Sequence, residues 1–362
     1  MARNVLVVGA GIVGASLAWH LARAGCHVTV AGVQGGVATP CTFAWINASW
    51  GNPEFYFHFR RRSMAGWRRL EAALSDLGVD WCGGMLWDLP DDRLSAYAEQ
   101  HAGWGYGIRM IDRAEAQRLE PGLLSPPERA VHVAEEGAVE AVDAAHVLLN
   151  GAQAAGASFM PDTRITRLVM QGGRVTGAET GTGALIDADE VVLAAGTGTP
   201  DLLATAGLRL AMTAPPGLIA HSTIAGRRLL NGMIFAPDVH VRQTREGRLI
   251  VGADFTGADP GEDPAETARG LLRAVRRYVA GSEALDLAFH TIGYRPTPAD
   301  GLPAIGRMPG IEGLYVTVMH SGVTLAPLVG ELAAEEIVTG RRDPDLGPFD
   351  PGRPALAKEP SD

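Results

Sequence analysis

Gly9, Gly11 and Gly14, in the run Val7-Val8-Gly9-Ala10-Gly11-Ile12-Val13-Gly14, stand at the spacing GxGxxG. Each position answers a separate physical demand. Gly9 permits a tight turn, Gly11 lets a pyrophosphate approach the backbone, and Gly14 lets a helix pack closely on the strand before it. The first turn of that helix, with Ile12 and Val13, then presents free N–H groups and a positive dipole end to the phosphates. The spacing alone is weak, but here it falls directly between a strand pattern and a helix pattern, the context a dinucleotide site requires. One part is missing. An acid about 20 residues on should hold a ribose hydroxyl, and Gly32 stands in its place. Either a nearby group such as Gln34 substitutes, or that contact is absent.

The rest of the composition narrows the chemistry. Lys358 is the only lysine, so a Schiff-base, pyridoxal-phosphate or P-loop lysine in the folded body is excluded. Cys26, Cys41 and Cys82 are odd in number and widely spaced, and read as free thiols and not as a disulfide frame or zinc site. A formal net charge of -10 argues against nucleic acid or an anionic membrane as partner. The run at residues 5–22 is broken by glycines and lacks the charged start of a signal peptide. No stretch reaches the roughly 18 uninterrupted apolar residues of a membrane span. The expected location is the cytoplasm.

The elements that must position the turn are legible in outline. A buried strand at residues 4–8, a helix at 12–23 and a strand at 27–30 begin a doubly wound domain. Phe55, Phe59, Met64, Trp67, Leu70 and Leu74 recur at helical spacing over 54–77. A short helix is expected at 113–119 and another at 142–154. Strand signals at 159, 164–170, 174–179 and 185–186 follow, closing on the apolar run 190–196. An irregular region at 208–286 holds a strand at 248–253 and one helix near 265–279. Strand and helix patterns return over 294–338, and the tail after Gly340, rich in Pro, Asp and Gly, is expected to be disordered.

Four patches together resemble the D-amino-acid oxidase superfamily of flavoenzymes, nearest its glycine oxidase and sarcosine oxidase-like members. They are the glycine turn; Glu190-Val-Val-Leu-Ala-Ala-Gly196; Gly293-Tyr-Arg-Pro296 followed by Asp300-Gly-Leu-Pro-Ala-Ile-Gly306; and Gly313-Leu-Tyr-Val316 leading into His320-Ser-Gly-Val-Thr-Leu-Ala-Pro327. The resemblance covers nearly the whole chain except the tail. It implies an α/β fold, in which a Rossmann-like FAD-binding domain is interleaved with an α+β substrate domain containing an antiparallel sheet. The expected division is 1–80, 136–206 and 291–345 for FAD, 81–135 and 207–290 for substrate, and a disordered tail at 346–362.

The resemblance also implies site residues. Ala195 and Gly196 lie on the strand that returns beside the dinucleotide. Backbone near Ile165 holds the adenine. The loop at 39–47 lines the flavin, with Thr39, Thr42, Trp45 and Asn47 as candidates. Gly322, Val323 and Thr324 fall where a loop becomes a helix, whose N-terminus can donate N–H groups to the flavin N1/C2=O edge. Arg295, in the similar Gly-x-Arg-Pro motif, would clamp a substrate carboxylate with its planar fork; its alternative is a structural pair with an acid such as Asp300. Tyr294 and His320 are further catalytic candidates, His240 a weaker one, and Arg242 a second positive group. Two features of relatives are missing: the lysine of sarcosine oxidases, since this chain has Thr324 in that patch, and the flavin-tethering cysteine, since Val318-Met319-His320 contains none. FAD is therefore expected to be non-covalent.

The function implied is hydride transfer from the carbon beside an amine of an amino acid or N-substituted amino acid, with oxygen or another acceptor returning the flavin. Oxidation of a secondary or N-methyl amine lacking a carboxylate is the alternative enzyme, and a flavoprotein subunit of a larger complex the alternative of another class. An NADPH-using monooxygenase would want a second glycine turn, and Gly181-Thr-Gly183 and Gly196-Thr-Gly198 are too short and misplaced.

Overall fold

A computed structural model describes residues 2–49, 51–253 and 260–357. The strands Asn4–Val8 and Glu190–Leu193 are almost entirely apolar and buried along their length. Strands of that kind are covered on both faces, as in a parallel sheet with helical crossovers. They form the centre of a six-stranded sheet in the order 304–307, 314–318, 190–193, 4–8, 27–32, 158–161. Every pairing in it is parallel except that of Ala304–Arg307 with Leu314–Val318.

The N-terminal helix Ile12–Arg23 packs against both Ala141–Ala154 and the C-terminal helix Gly322–Thr339. The last contact is close, since a Cβ on Gly330 would lie 2.4 Å from Ser16 Oγ. The C-terminal helix contains Pro327, which has no N–H for the carbonyl of Val323. Trp67 Nε1 donates to that carbonyl at 3.0 Å, and Ser63 Oγ donates to the carbonyl of Thr324 at 2.8 Å. Both donors belong to the helix Glu54–Ala73, which is thereby fixed to the start of the C-terminal helix.

A second, eight-stranded sheet runs in the order 287–294, 216–224, 248–252, 239–243, 233–236, 84–86, 129–133, 108–112. It is antiparallel apart from one parallel pair, Gly84–Leu86 with Met233–Ala236, and this pair joins two stretches far apart in the chain. The helix Pro264–Val275 covers its 216–224 and 287–294 strands. A small sheet of Trp45–Ile46, Val79–Asp80 and Gly137–Val139 lies outside both. The three-stranded meander Ile165–Gln171, Arg174–Thr180, Leu185–Asp187 completes the α/β fold.

Several expected boundaries are corrected. The strand Leu287–Tyr294 carries the eight-stranded sheet beyond residue 290, so the expected return to the FAD domain at 291 falls too early. The helix expected over 54–77 stops at Ala73, where Leu74 is extended and Asp76 and Gly78 turn with φ of 65° and 77°. The helix Asp91–Gly103 was not anticipated. The tail is folded as far as residue 357: Leu346, Phe349 and Leu356 are buried in two 3-10 turns. Its prolines and glycines shape turns, and its few apolar side chains are enough to hold it on the body. Residues 358–362, with Lys358, lie outside the described residues. Among the described residues no helix is long and apolar enough to cross a membrane.

Candidate active site

The strand-to-helix turn has the geometry its glycines suggest. Gly9 sits at φ 111°, and a Cβ there would lie 2.3 Å from the Ala194 carbonyl oxygen. A Cβ on Gly14 would meet the Gly9 carbonyl oxygen at 1.9 Å, so Gly14 sets the closeness of helix and strand and stands behind the turn. Gly11 differs. Its Cβ would meet only Thr39 Oγ1 at 3.1 Å and the Gly36 Cα at 3.7 Å, so the protein itself leaves room there.

That room opens into a cavity of about 600 Å³. From the turn, with Gly9, Gly11, Ile12 and Val13, it extends to Ile165 on one side and to Ala195 and Gly196 on another. It also reaches Gly322 and Val323 at the N-terminus of the C-terminal helix. Thr39 faces the same space and accepts a hydrogen bond from the Ile12 N–H at 3.1 Å. An elongated cavity bounded by two helix N-termini and a side-chain-free turn suits the pyrophosphate and ring system of FAD.

Gly32 is shaped against the missing acid. Its φ is 156°, and a Cβ would lie 3.0 Å from the Ala10 nitrogen, so an acid there would strain the turn. Gln34 is exposed and is not among the described residues lining the cavity. Asp162 does line it. Its N–H donates to the Gly32 carbonyl at 3.0 Å, and it is held at φ 51°. The parallel pairing of residues 27–32 with 158–161 thus returns a carboxylate to the rim beside Gly32.

A smaller cavity of about 270 Å³ adjoins the first, and Thr42, Tyr294, His320 and Val323 line both. Trp45, Asn47, Thr324 and Arg295 line the smaller one. Thr324 Oγ1 donates to the Trp45 carbonyl at 3.1 Å, fixing the loop to the C-terminal helix. The Trp45 indole donates to Glu136 Oε2 at 2.8 Å, and Ser49 and Tyr106 donate to Oε1 at 2.6 and 2.8 Å. Glu136 is fully buried, and burial pushes its carboxyl up to about 7 against those three donors.

Arg295 follows the last residue of the 287–294 strand, and its Nη1 donates to the Pro216 carbonyl at 3.2 Å. Asp300, the acid that a purely structural Arg295 would want, is instead paired with Arg353 at 2.7 Å. His320 stands exposed on the cavity wall, and desolvation by the surrounding protein, followed by the Arg295 and Arg60 charges, pushes it down to about 4, so its imidazole is neutral at neutral pH. Tyr294 is 55% exposed and stands at the junction of the two cavities.

Two suggested residues belong elsewhere. His240 is buried against Asp88 at 3.2 Å. Arg242 donates to the Phe43 carbonyl at 2.6 Å and to Glu140 Oε1 at 3.1 Å, securing the loop from behind. The second cation lining the smaller cavity is Arg60, from the helix Glu54–Ala73. Its helix was legible, and helical spacing puts Arg60, unlike Arg61 and Arg62, on the face of Met64 and Trp67, the signal that could have found it.

Residues 4–336 match the family described as FAD dependent oxidoreductase, DAO. Glycine oxidase of Pseudomonas putida is 28% identical, over 97% of this chain and 99% of its own length. The solved glycine oxidase from Geobacillus kaustophilus superposes with a TM-score of 0.84 at 25% identity, covering 97% of this chain and 99% of that one. Iminodiacetate oxidase from Chelativorans sp. BNC1 does so with a TM-score of 0.84 at 25% identity, covering 96% and 98%.

Proposed function

Because the chain belongs to the DAO family of FAD-dependent oxidoreductases, we propose that it oxidises an amino acid or N-substituted amino acid at the carbon bearing the amine, using non-covalent FAD. The observation that carries this reading is the position of Arg295. It lies on the wall of the smaller cavity, next in the chain to Tyr294 and across from the start of the C-terminal helix. A planar guanidinium there fits a carboxylate with two parallel hydrogen bonds and fixes the neighbouring carbon in one orientation.

Bound FAD supplies the hydride acceptor. The residues of this chain do the remainder. Arg295 orients the carboxylate, and the walls formed by Phe43, Trp45 and Ile219 keep water from the reacting carbon. Hydride leaves an amine most readily when its nitrogen is neutral. His320, held down to about 4, is neutral and adds no positive charge beside the amine. The imine product is released and hydrolysed by water. The names of two relatives, glycine oxidase and iminodiacetate oxidase, agree with a primary or secondary amine carrying a carboxylate.

The test compares an amino acid with its decarboxylated analogue on the parent and on Arg295→Leu, following anaerobic flavin bleaching. Loss of a charge-assisted bidentate contact should weaken the amino acid by roughly a hundredfold and the simple amine far less. Equal losses for both would make Arg295 structural and leave a plain amine oxidase.

A further inference from the structure

Arg60 is 5% exposed, yet every hydrogen-bond partner it has is neutral. Its Nε donates to the Asn47 carbonyl at 3.1 Å, Nη2 to Asn47 Oδ1 at 2.7 Å, and Nη1 to Ser321 Oγ at 2.5 Å. The Tyr56 ring lies 5.4 Å beneath the guanidinium carbon. Among the described residues no carboxylate pairs with it. Glu136 feels the Arg60 charge through space, but its carboxyl is pushed up to about 7 and is bound by three other donors. A guanidinium taken out of water without a counter-ion is costly, and a site that holds one by neutral groups on several sides is built to meet an anion.

The place of that anion follows from the cavities. Arg60 and Arg295 both line the smaller cavity and are absent from the lining of the larger one that suits the dinucleotide. Their charges meet at His320, which feels both. Among the described residues no Asp or Glu lines the smaller cavity. Phe43, Ala44 and Ile219 give the same space apolar wall, so it offers two cations and no anion to a small ligand.

Resting on the amino-acid reading above, we infer that the preferred substrate is a dicarboxylate amine. One carboxylate is held by Arg295 and the second by Arg60, whose guanidinium is oriented by Asn47 and Ser321. The second carboxylate sits either on the nitrogen substituent, as in an N-carboxyalkyl amino acid, or on the side chain, as in aspartate. Both sources share the chemistry of two carboxylates flanking one amine.

Unreactive ethers test the binding without requiring turnover. Oxydiacetate and methoxyacetate, titrated into the FAD-loaded protein and followed by the flavin spectrum, differ by one carboxylate. The parent should bind the dicarboxylate at least about tenfold more tightly. In Arg60→Gln that ratio should fall to near one, and Arg60→Lys should restore part of it. Anaerobic bleaching with iminodiacetate against glycine, and with each enantiomer of aspartate against alanine, then assigns the second carboxylate to nitrogen or side chain.

A parent that binds the two ethers equally overturns the inference. So does an Arg60→Gln protein that keeps the full ratio, or one that loses both ligands equally with a shifted flavin potential, since Arg60 would then serve the flavin. If monocarboxylates bleach the flavin and dicarboxylates do no better, this inference fails alone. If no amine carboxylate bleaches it, the proposed function fails. Should Arg60→Gln not fold, the same ratio measured on the parent and on Arg60→Lys decides the matter.

Discussion

Gly11→Val separates binding from folding, because the structure gives the two glycines of the turn different reasons to be there. A Cβ on Gly14 would lie 1.9 Å from a backbone oxygen, and neither the strand nor the helix can yield that far without breaking the sheet-to-helix packing. At Gly11 the nearest atom is Thr39 Oγ1 at 3.1 Å, the end of a side chain that can turn aside by a few tenths of an ångström. The cost to the cofactor-free fold is on the order of 1 kcal/mol, mainly the bond from Ile12 that Thr39 would weaken. The cost to FAD is larger. Valine methyls enter the space the pyrophosphate must fill, and two charge-assisted backbone contacts are worth about 3–6 kcal/mol together. The expected loss of FAD affinity is therefore on the order of a hundredfold to ten-thousandfold. Apoprotein titrated with FAD by fluorescence quenching reads the affinity, and thermal unfolding without FAD reads the fold. Gly14→Ala serves as the contrast, with a depressed unfolding temperature even without cofactor. If Gly11→Val binds FAD like the parent, the pyrophosphate does not lie against this turn; if it unfolds as early as Gly14→Ala, Gly11 serves the fold and the separation fails.

Two further outcomes follow from the packing around the site. Glu136 is raised in the folded chain to about 7 from 4.5, so its contribution to stability is present at pH 4.5 and is lost as pH rises through 7, by at most about 3 kcal/mol. Glu136→Gln cannot titrate and should gain on the parent between pH 5 and 8 in paired denaturant melts; a gap independent of pH would place the carboxylate in its ordinary range, while His20 and His221, both near 4, titrate in the opposite sense and cancel in the comparison. Phe349→Ala should cost about 3–4 kcal/mol, because its fully buried ring packs on Phe59, Tyr56 and Phe55; an unfolding free energy within 1 kcal/mol of the parent would show the tail to be dispensable.

What the sequence revealed divides along physical lines. The strand at Asn4–Val8, the helix at Ile12–Arg23 and the helix at Arg113–Leu119 fall where patterning put them, because apolar runs and glycine spacing are local signals. The helix Asp91–Gly103 escaped, since its buried positions are Leu94, Ala98 and His101, and only one of these is strongly apolar. The tail misled for a related reason: its composition is that of a disordered segment, but Leu346, Phe349 and Leu356 find a surface made by other elements. Gly9, Gly11 and Gly14 were legible because a tight turn and close helix-to-strand packing demand glycine. Arg60 was overlooked although helical spacing sets it beside Met64 and Trp67, because its role shows only in its contacts with Asn47 and Ser321. Arg242 was misplaced because its partners, Phe43 and Glu140, are distant in sequence.

The order of the central sheet also bears on how the chain is made. Its middle strands come from residues 4–8 and 190–193 and their neighbour from residues 314–318, and the helix after that neighbour gives Gly322 and Val323 to the larger cavity. During synthesis the glycine turn therefore emerges well before the helix that completes the cavity, and its strand lacks a partner on one edge until residues 190–193 follow. The hairpins of the eight-stranded sheet can form meanwhile, while the larger cavity lacks its Gly322 and Val323 wall until that helix appears. If that cavity holds FAD as proposed, capture is late and ties the elements at residues 4–23 and 314–339 into one cooperative unit. Limited proteolysis of stalled nascent chains should accordingly find the N-terminal turn labile until the helix Gly322–Thr339 has left the ribosome.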